Sequence, residues 1–217
     1  MMRATHYGAM AMLLASIVGC STMYYSTMEK FGFQKADILV DRVDDARDDQ
    51  EQAKEQFKSA LEQFEAVMNH DGGNLRKQYD KLAKELSRSE ARANDVREQI
   101  DDVENVAGAL FREWKAEIEQ FSSDDLRQQS QSLYNDTQVR YNSLIGAMHR
   151  AESSMDPVLT AFQDQVLFLK HNLNAQAIAS LEGTALELEG EIEALIREME
   201  AAIAEADAFI ASMGATG

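Results

Sequence analysis

The sequence predicts an all-α chain, on three observations. It holds one proline and eleven glycines in 217 residues, too few breakers for the many turns of a sandwich or barrel. Aromatic residues make up 7%, low for strands, which favour them. Apolar residues recur at alternating steps of three and four over long stretches, the period of packed helices. The architecture expected is a long antiparallel coiled-coil helical hairpin plus three shorter helices forming a bundle. The composition also excludes classes. A net charge of −17 leaves no Lys/Arg surplus for phosphates, so nucleic acid is not expected as a partner. A single cysteine excludes a disulfide framework or a multi-cysteine metal site.

The first element is an address. Residues 1–8 carry one cation, Arg3, and no acid, and residues 9–19 are apolar or small without a charge. A cationic start and a short apolar run describe a secretory signal. The run is well short of the roughly 20 apolar residues that span a bilayer. It ends in Ile17-Val18-Gly19-Cys20, which resembles the lipobox of bacterial lipoproteins. The resemblance implies a signal peptide over 1–19, a diacylglyceryl group on the Cys20 thiol, cleavage before Cys20 and acylation of the new amine. Several acyl chains anchor a protein stably where one binds marginally. Ser21 follows instead of Asp, which resembles the outer-membrane-directed pattern. The alternative is an ordinary signal with Cys20 as a small residue behind it. Loss of that thiol to lipid leaves the chain without a free thiol, which suits an oxidising compartment. Residues 20–28 read as a lipidated tether.

Residues 29–122 read as the hairpin. Its first seam runs Ala36, Leu39, Val43, Ala46, Gln50, Ala53, Phe57, Ala60, Phe64, Val67, with Gln50 its one polar member. The run His70-Asp71-Gly72-Gly73-Asn74 reads as the turn, with glycines for left-handed backbone and Asn74 as the next N-cap. The second seam runs Leu75, Tyr79, Leu82, Leu86, Ser89, Ala93, Val96, Ile100, Val103, Ala107, Leu110, Trp114, Ile118, Phe121. Folded at Gly73, seam residues whose numbers sum to 146 face each other, from Val67 with Tyr79 to Ala36 with Leu110. Large residues often face small ones, as a filled seam requires.

Residues 123–217 read as three helices packing on the hairpin or along it. Ser122-Ser123-Asp124-Asp125 has the hydroxyl cap and the acids of a helix start. A third helix then carries Leu126, Leu133, Tyr141, Leu144, Met148, Ala151 and Met155. Asp156-Pro157 reads as a fresh N-cap and first-turn proline. A fourth carries Leu159, Phe162, Val166, Leu169, Leu173, Ala177 and Leu181, and Gly183 closes it. Thr184 with Glu187 reads as a capping box for a fifth helix with Leu188, Ile192, Leu195, Met199, Ile203, Ala206, Ile210 and Met213. That helix is strongly acidic, the wrong sign for lying on anionic lipid. Gly108, Gly146 and Gly190 fall inside helices and mark either close helix crossings or weak spots of about 1 kcal/mol each.

Two stretches, YYSTMEKFGFQKADILVDRVDDARDDQEQAKEQF (24–57) and PVLTAFQDQVLFLKHNLNAQAIASL (157–181), resemble an uncharacterised family of bacterial envelope lipoproteins, the domain of unknown function 2959. The resemblance covers essentially the whole chain after the lipobox. It implies a helical envelope protein, and it brings no catalytic residues, because the family has no established reaction.

The chemistry-bearing residues are sparse. His6 lies in the signal, His70 in the expected turn, and His149 and His171 on separate helices. None has a second His or Cys three or four residues on, so the usual metal spacing is absent. Neither a GxSxG elbow nor a Gly-rich phosphate loop is present. No enzyme activity and no cofactor are therefore expected. Tyr134, Tyr141, His149, Lys170, His171 and Asn172 are the polar groups an unrecognised site would have to collect. The acids are more suggestive. Asp37, Asp41, Asp44, Asp45, Asp48, Asp49 and Glu51 crowd the first helix, and hairpin pairing sets them against Glu98, Asp101, Asp102 and Glu104. Asp41, Asp44, Asp101 and Glu104 are candidates for bridging by divalent cations, for receiving a basic partner, or for a solvated face that lowers aggregation. The preferred reading is a non-enzymatic envelope lipoprotein at the periplasmic face, held to the membrane through Cys20, that spaces or binds other envelope proteins.

Overall fold

The computed structural model describes residues 19–68, 75–172 and 175–214, with side chains over 35–68, 75–172 and 186–214. Most of the expected signal and the turn at His70–Asn74 lie outside the described residues. Those residues form four α-helices and no strand: α1 (Gly19–Met68), α2 (Leu75–Ile118), α3 (Asp124–His171) and α4 (Ala175–Gly214). At 1.5 Å per residue each is about 60–75 Å long. α1 packs on α2 and α4, and α3 packs on α2 and α4, so the helices close a ring around one apolar core. The expected tether over 20–28 falls within α1.

The core is built from one stripe per helix. Leu39, Val43, Ala46, Ala53, Phe57, Ala60, Phe64 and Val67 are buried on α1, and Leu82, Leu86, Ala93, Val96, Ile100, Val103, Ala107 and Leu110 on α2. These are the residues the two heptad series pick out. Lys35 bonds Glu113, and Gln56 Nε2 donates to Glu85 Oε2 at 2.8 Å. As the first number rises the second falls, so α1 and α2 run antiparallel. Trp114 with Ser130, and Arg97 with Glu152, give the same sense for α2 and α3. Across the ring, Phe64 and Phe162 meet edge-on with centroids 6.3 Å apart.

The chain after residue 123 is two long helices, not three shorter ones. Ser123 caps α3 as expected, its hydroxyl accepting from the Leu126 N–H at 3.4 Å. No break follows at Asp156-Pro157, because the buried stripe Met148, Ala151, Met155, Val158, Phe162 and Val166 keeps its phase straight through the proline. Pro157 itself is exposed, so the ring and the missing N–H fall on the solvent side, where a helix bends most easily. Just upstream, the Ser153 and Ser154 hydroxyls donate to the carbonyls of His149 and Arg150 at 2.7 and 2.9 Å. The break comes instead at Asn172. Its backbone N–H donates to Leu169 O and its side-chain amide to Phe168 O, which closes the last turn of α3. α4 then runs unbroken through Gly183 and Thr184. One glycine costs a helix about 1 kcal/mol, less than the apolar stripe Leu188, Ile192, Leu195, Met199, Ala202, Ala206 and Phe209 returns by burial.

Two further expectations are corrected. Leu126 and Leu133 are 51% and 50% exposed. Counting outward from Arg150–Glu198, Gly214 at the end of α4 stands level with residue 134, so the first turns of α3 extend past their cover. The glycines mark no close crossing. A Cβ at Gly108 would meet only the tip of Arg112 at 3.3 Å, one at Gly146 the tip of Arg150 at 3.7 Å, and one at Gly190 nothing within 4 Å.

Candidate functional site

The acidic side of α1 is a local lattice of ion pairs. Arg47 Nη2 lies 2.7 Å from Asp44 and 2.8 Å from Asp48, and its Nη1 reaches Asp207 of α4 at 3.3 Å. These carboxylates, the Asp48 bond foremost, raise the already high pKa of the guanidinium. Arg42 pairs with Asp45 at 3.3 Å, and Lys54 with Glu51 at 2.7 Å. The hairpin alone suggests acids facing acids. The fourth helix changes that picture, since Asp44 belongs to an Arg47 centre that ties α1 to α4. Asp49 still feels like charge from across the helix pair. Asp49 is pushed up by burial and then by Asp95 of α2, with Arg92 opposing.

Glu104, one of the two α2 candidates, faces α3. Its Oε1 lies 3.0 Å from His149 Nε2, while His149 Nδ1 lies 3.0 Å from Glu152. The Glu104 bond, then the Glu152 bond, raise the imidazole pKa. The chain of contacts continues through Arg97, which pairs with both Glu152 and Asp156. The two carboxylates bind opposite ring nitrogens, so they clamp the imidazole and do not converge on a common point. Among the described residues no group of three His, Cys, Asp or Glu side chains could hold a metal ion. Asp41 and Asp101 are exposed on the surface.

Between α2 and α3 runs an aromatic ladder that the heptad seams do not single out. Trp114, Tyr134, Phe111 and Tyr141 follow one another edge to face with centroids 5.7, 5.6 and 5.4 Å apart. Trp114 Nε1 donates to Ser130 Oγ at 3.0 Å. Burial, then the Glu104 charge, pushes the Tyr141 hydroxyl up to about 12. Phe111 lies one residue outside the heptad series, beside Leu110, and only a third helix gives it something to cover. The polar groups proposed for an unrecognised site are not gathered. Tyr134 and Tyr141 belong to the ladder and His149 to the clamp, while Lys170, His171 and Asn172 lie at the far end of α3, about 50 Å from Tyr134 along the helix.

The family model described as "Protein of unknown function (DUF2959)" matches residues 24–213. The chain belongs to this family. No curated protein and no solved structure matches it. The DUF2959 match takes in all four helices almost entirely, together with the Arg47 centre, the His149 clamp and the aromatic ladder. Cys20 stands four residues before the match begins, within the first turn of α1. No described helix is long and apolar enough to cross a membrane.

Proposed function

We propose that this DUF2959 chain is a non-enzymatic lipoprotein of the bacterial cell envelope, a helical rod anchored through Cys20 that spaces or docks other envelope proteins. The observation that carries the reading is Ile17-Val18-Gly19-Cys20 at the end of a short apolar run, with the chain's single cysteine at the position a lipobox requires. Because Cys20 lies in the first turn of α1, acyl chains there would join the rod directly. Three chains hold to a bilayer where one dissociates. Ser21 favours the periplasmic face of the outer membrane over the inner membrane.

Within the rod we read α1 and α2 as an antiparallel coiled-coil hairpin in which facing seam residues sum to 146. The support is the match between the two seams and the buried residues, and the two cross-helix bonds, whose residue numbers fall on either side of that register. A divalent-cation role for the acidic region has weaker support, since Arg47 and His149 already engage Asp44 and Glu104.

The test is metabolic labelling with radiolabelled palmitate in the native bacterium, with Cys20→Ser as the control. Label on the native chain, its loss in the variant, and release of the variant from the membrane fraction are expected. An unlabelled native chain removes the anchor. Cross-linking in intact cells then addresses the docking role through envelope partners captured along α3 or α4.

A further inference from the structure

Two polar side chains are fully buried in the α1–α2 seam. Gln50 and Ser89 are each 0% exposed, and neither the Gln50 amide nitrogen, the Gln50 amide oxygen nor the Ser89 hydroxyl has a hydrogen-bond partner. Buried polar groups are nearly always bonded, and an unbonded one is costly. In the register of 146, Gln50 faces Val96 and Ser89 faces Phe57, one heptad apart. Sliding α1 by that one heptad brings seam residues summing to 139 face to face, and Gln50 then meets Ser89.

We propose that α1 and α2 hold two registers one heptad apart, with Gln50 and Ser89 orphaned in one and hydrogen-bonded to each other in the other. The proposal rests on the hairpin reading given above. Its first support is that the slide keeps nine of the ten α1 seam residues against an α2 seam residue, Val67 excepted: Val43 on Val96, Ala46 on Ala93, Ala53 on Leu86, Phe57 on Leu82, Phe64 on Leu75. A strictly seven-residue apolar repeat does not distinguish these registers; polar seam residues do. The second support is geometric. Lys35–Glu113 and Gln56–Glu85 join equivalent flanking positions, each residue immediately preceding a seam residue. Their numbers sum to 148 and 141, so within one arrangement the long flanking side chains already reach partners one heptad apart, and a slide of that size need not leave them unpaired.

The slide is about 10 Å. The six residues joining Met68 to Leu75 can reach about 20 Å when extended. The facing residues that must pass one another include Ala46, Ala53 and Ala93, which are small. Against the slide stand the Arg47–Asp207 pair to α4 and the Phe64–Phe162 contact to α3. In a rod fixed at one end, such a slide would carry a change at the far turn down to the anchored base.

Disulfide trapping in a full-length Cys20→Ser background tests this. The pair Ala53→Cys with Ala93→Cys reports the 146 register, and the pair Ala46→Cys with Ala93→Cys reports the 139 register. Both are expected to close under mild oxidation. Adding Gln50→Leu should reduce closure of the second pair about tenfold, the effect of losing one buried amide–hydroxyl bond, and leave the first unchanged. If Ala53→Cys with Ala93→Cys fails to close while helix content is native, the hairpin register itself is wrong. If it closes and Ala46→Cys with Ala93→Cys does not, or closes equally with Gln50→Leu, the slide is overturned and the hairpin stands.

Discussion

Glu104 on α2 and His149 on α3 meet at 3.0 Å, and the far side of the same imidazole lies 3.0 Å from Glu152. The bond to Glu104, then that to Glu152, holds the ring protonated to a higher pH than a free imidazole. A raised histidine pKa adds stability that is complete below the unfolded pKa of about 6.5 and is lost as pH rises through the folded value. His149→Ala should therefore lower the melting temperature at pH 6 and have little effect at pH 9. The ring is partly exposed, so solvent screening limits the effect to a few tenths of a kcal/mol. Proton NMR titration of the imidazole is the direct check, and a value at or below that of free histidine would sink the clamp.

Pro157 sits on the exposed side of α3. Interior proline removes one hydrogen bond and crowds the preceding turn, at about 3 kcal/mol, partly offset by the stiffness it lends the unfolded chain. Pro157→Ala should raise the unfolding free energy by about 1–3 kcal/mol in urea. An unchanged or lower stability would mean that the ring depends on a bend at this point.

The same proline shows where sequence stops being legible. The seams of α1 and α2 are readable because nearly every seam residue is apolar and the period holds from Ala36 to Val67 and from Leu75 to Trp114, so burial follows the pattern. In α3 a local signal, Asp156-Pro157, competes with a weaker periodic one. The join residue Val158 resolves it only when Met155 and Phe162 are seen as one stripe. Tertiary burial outweighs a breaker that faces solvent. At Asn172 the reverse holds, since a short polar side chain closes the helix where no glycine marks the end. Leu126 and Leu133 obey the period yet stay exposed, because α4 ends at Gly214, level with residue 134, and the period alone does not give the register of α4 on α3. Of the candidate site, the acids of α1 are legible as a cluster. Their cation, Arg47, is in plain view three residues after Asp44, but its second role toward Asp207 needs the fourth helix.

Gly190 isolates the intrinsic cost of glycine in a helix. It lies inside α4, is exposed, and has open space where a Cβ would stand. Gly190→Ala should stabilise the chain by about 1 kcal/mol. Gly108→Ala should gain less, because the new methyl must displace the Arg112 guanidinium at 3.3 Å. Thermal melts of the two variants side by side give the ranking, and a destabilised Gly190→Ala would point to a partner lying on that face.

Phe64 and Phe162 couple the two helices that share no other face of the ring. Both are buried, to 0% and 1% exposure, and their rings meet at 90°. Truncating either one opens a cavity in the buried core, so Phe64→Ala or Phe162→Ala should each cost about 3–5 kcal/mol. That size alone would be true of any core phenylalanine. The edge-to-face contact adds a pairwise term of about 0.5–1.5 kcal/mol beyond area burial. Phe64→Leu and Phe162→Leu keep most of the apolar volume while removing the ring geometry, so a double-mutant cycle with those two isolates the term. A coupling in that range is expected from urea unfolding of the four proteins. Strict additivity of the two leucine variants would show that the rings do not touch in solution and that α1 and α3 are not held opposite one another.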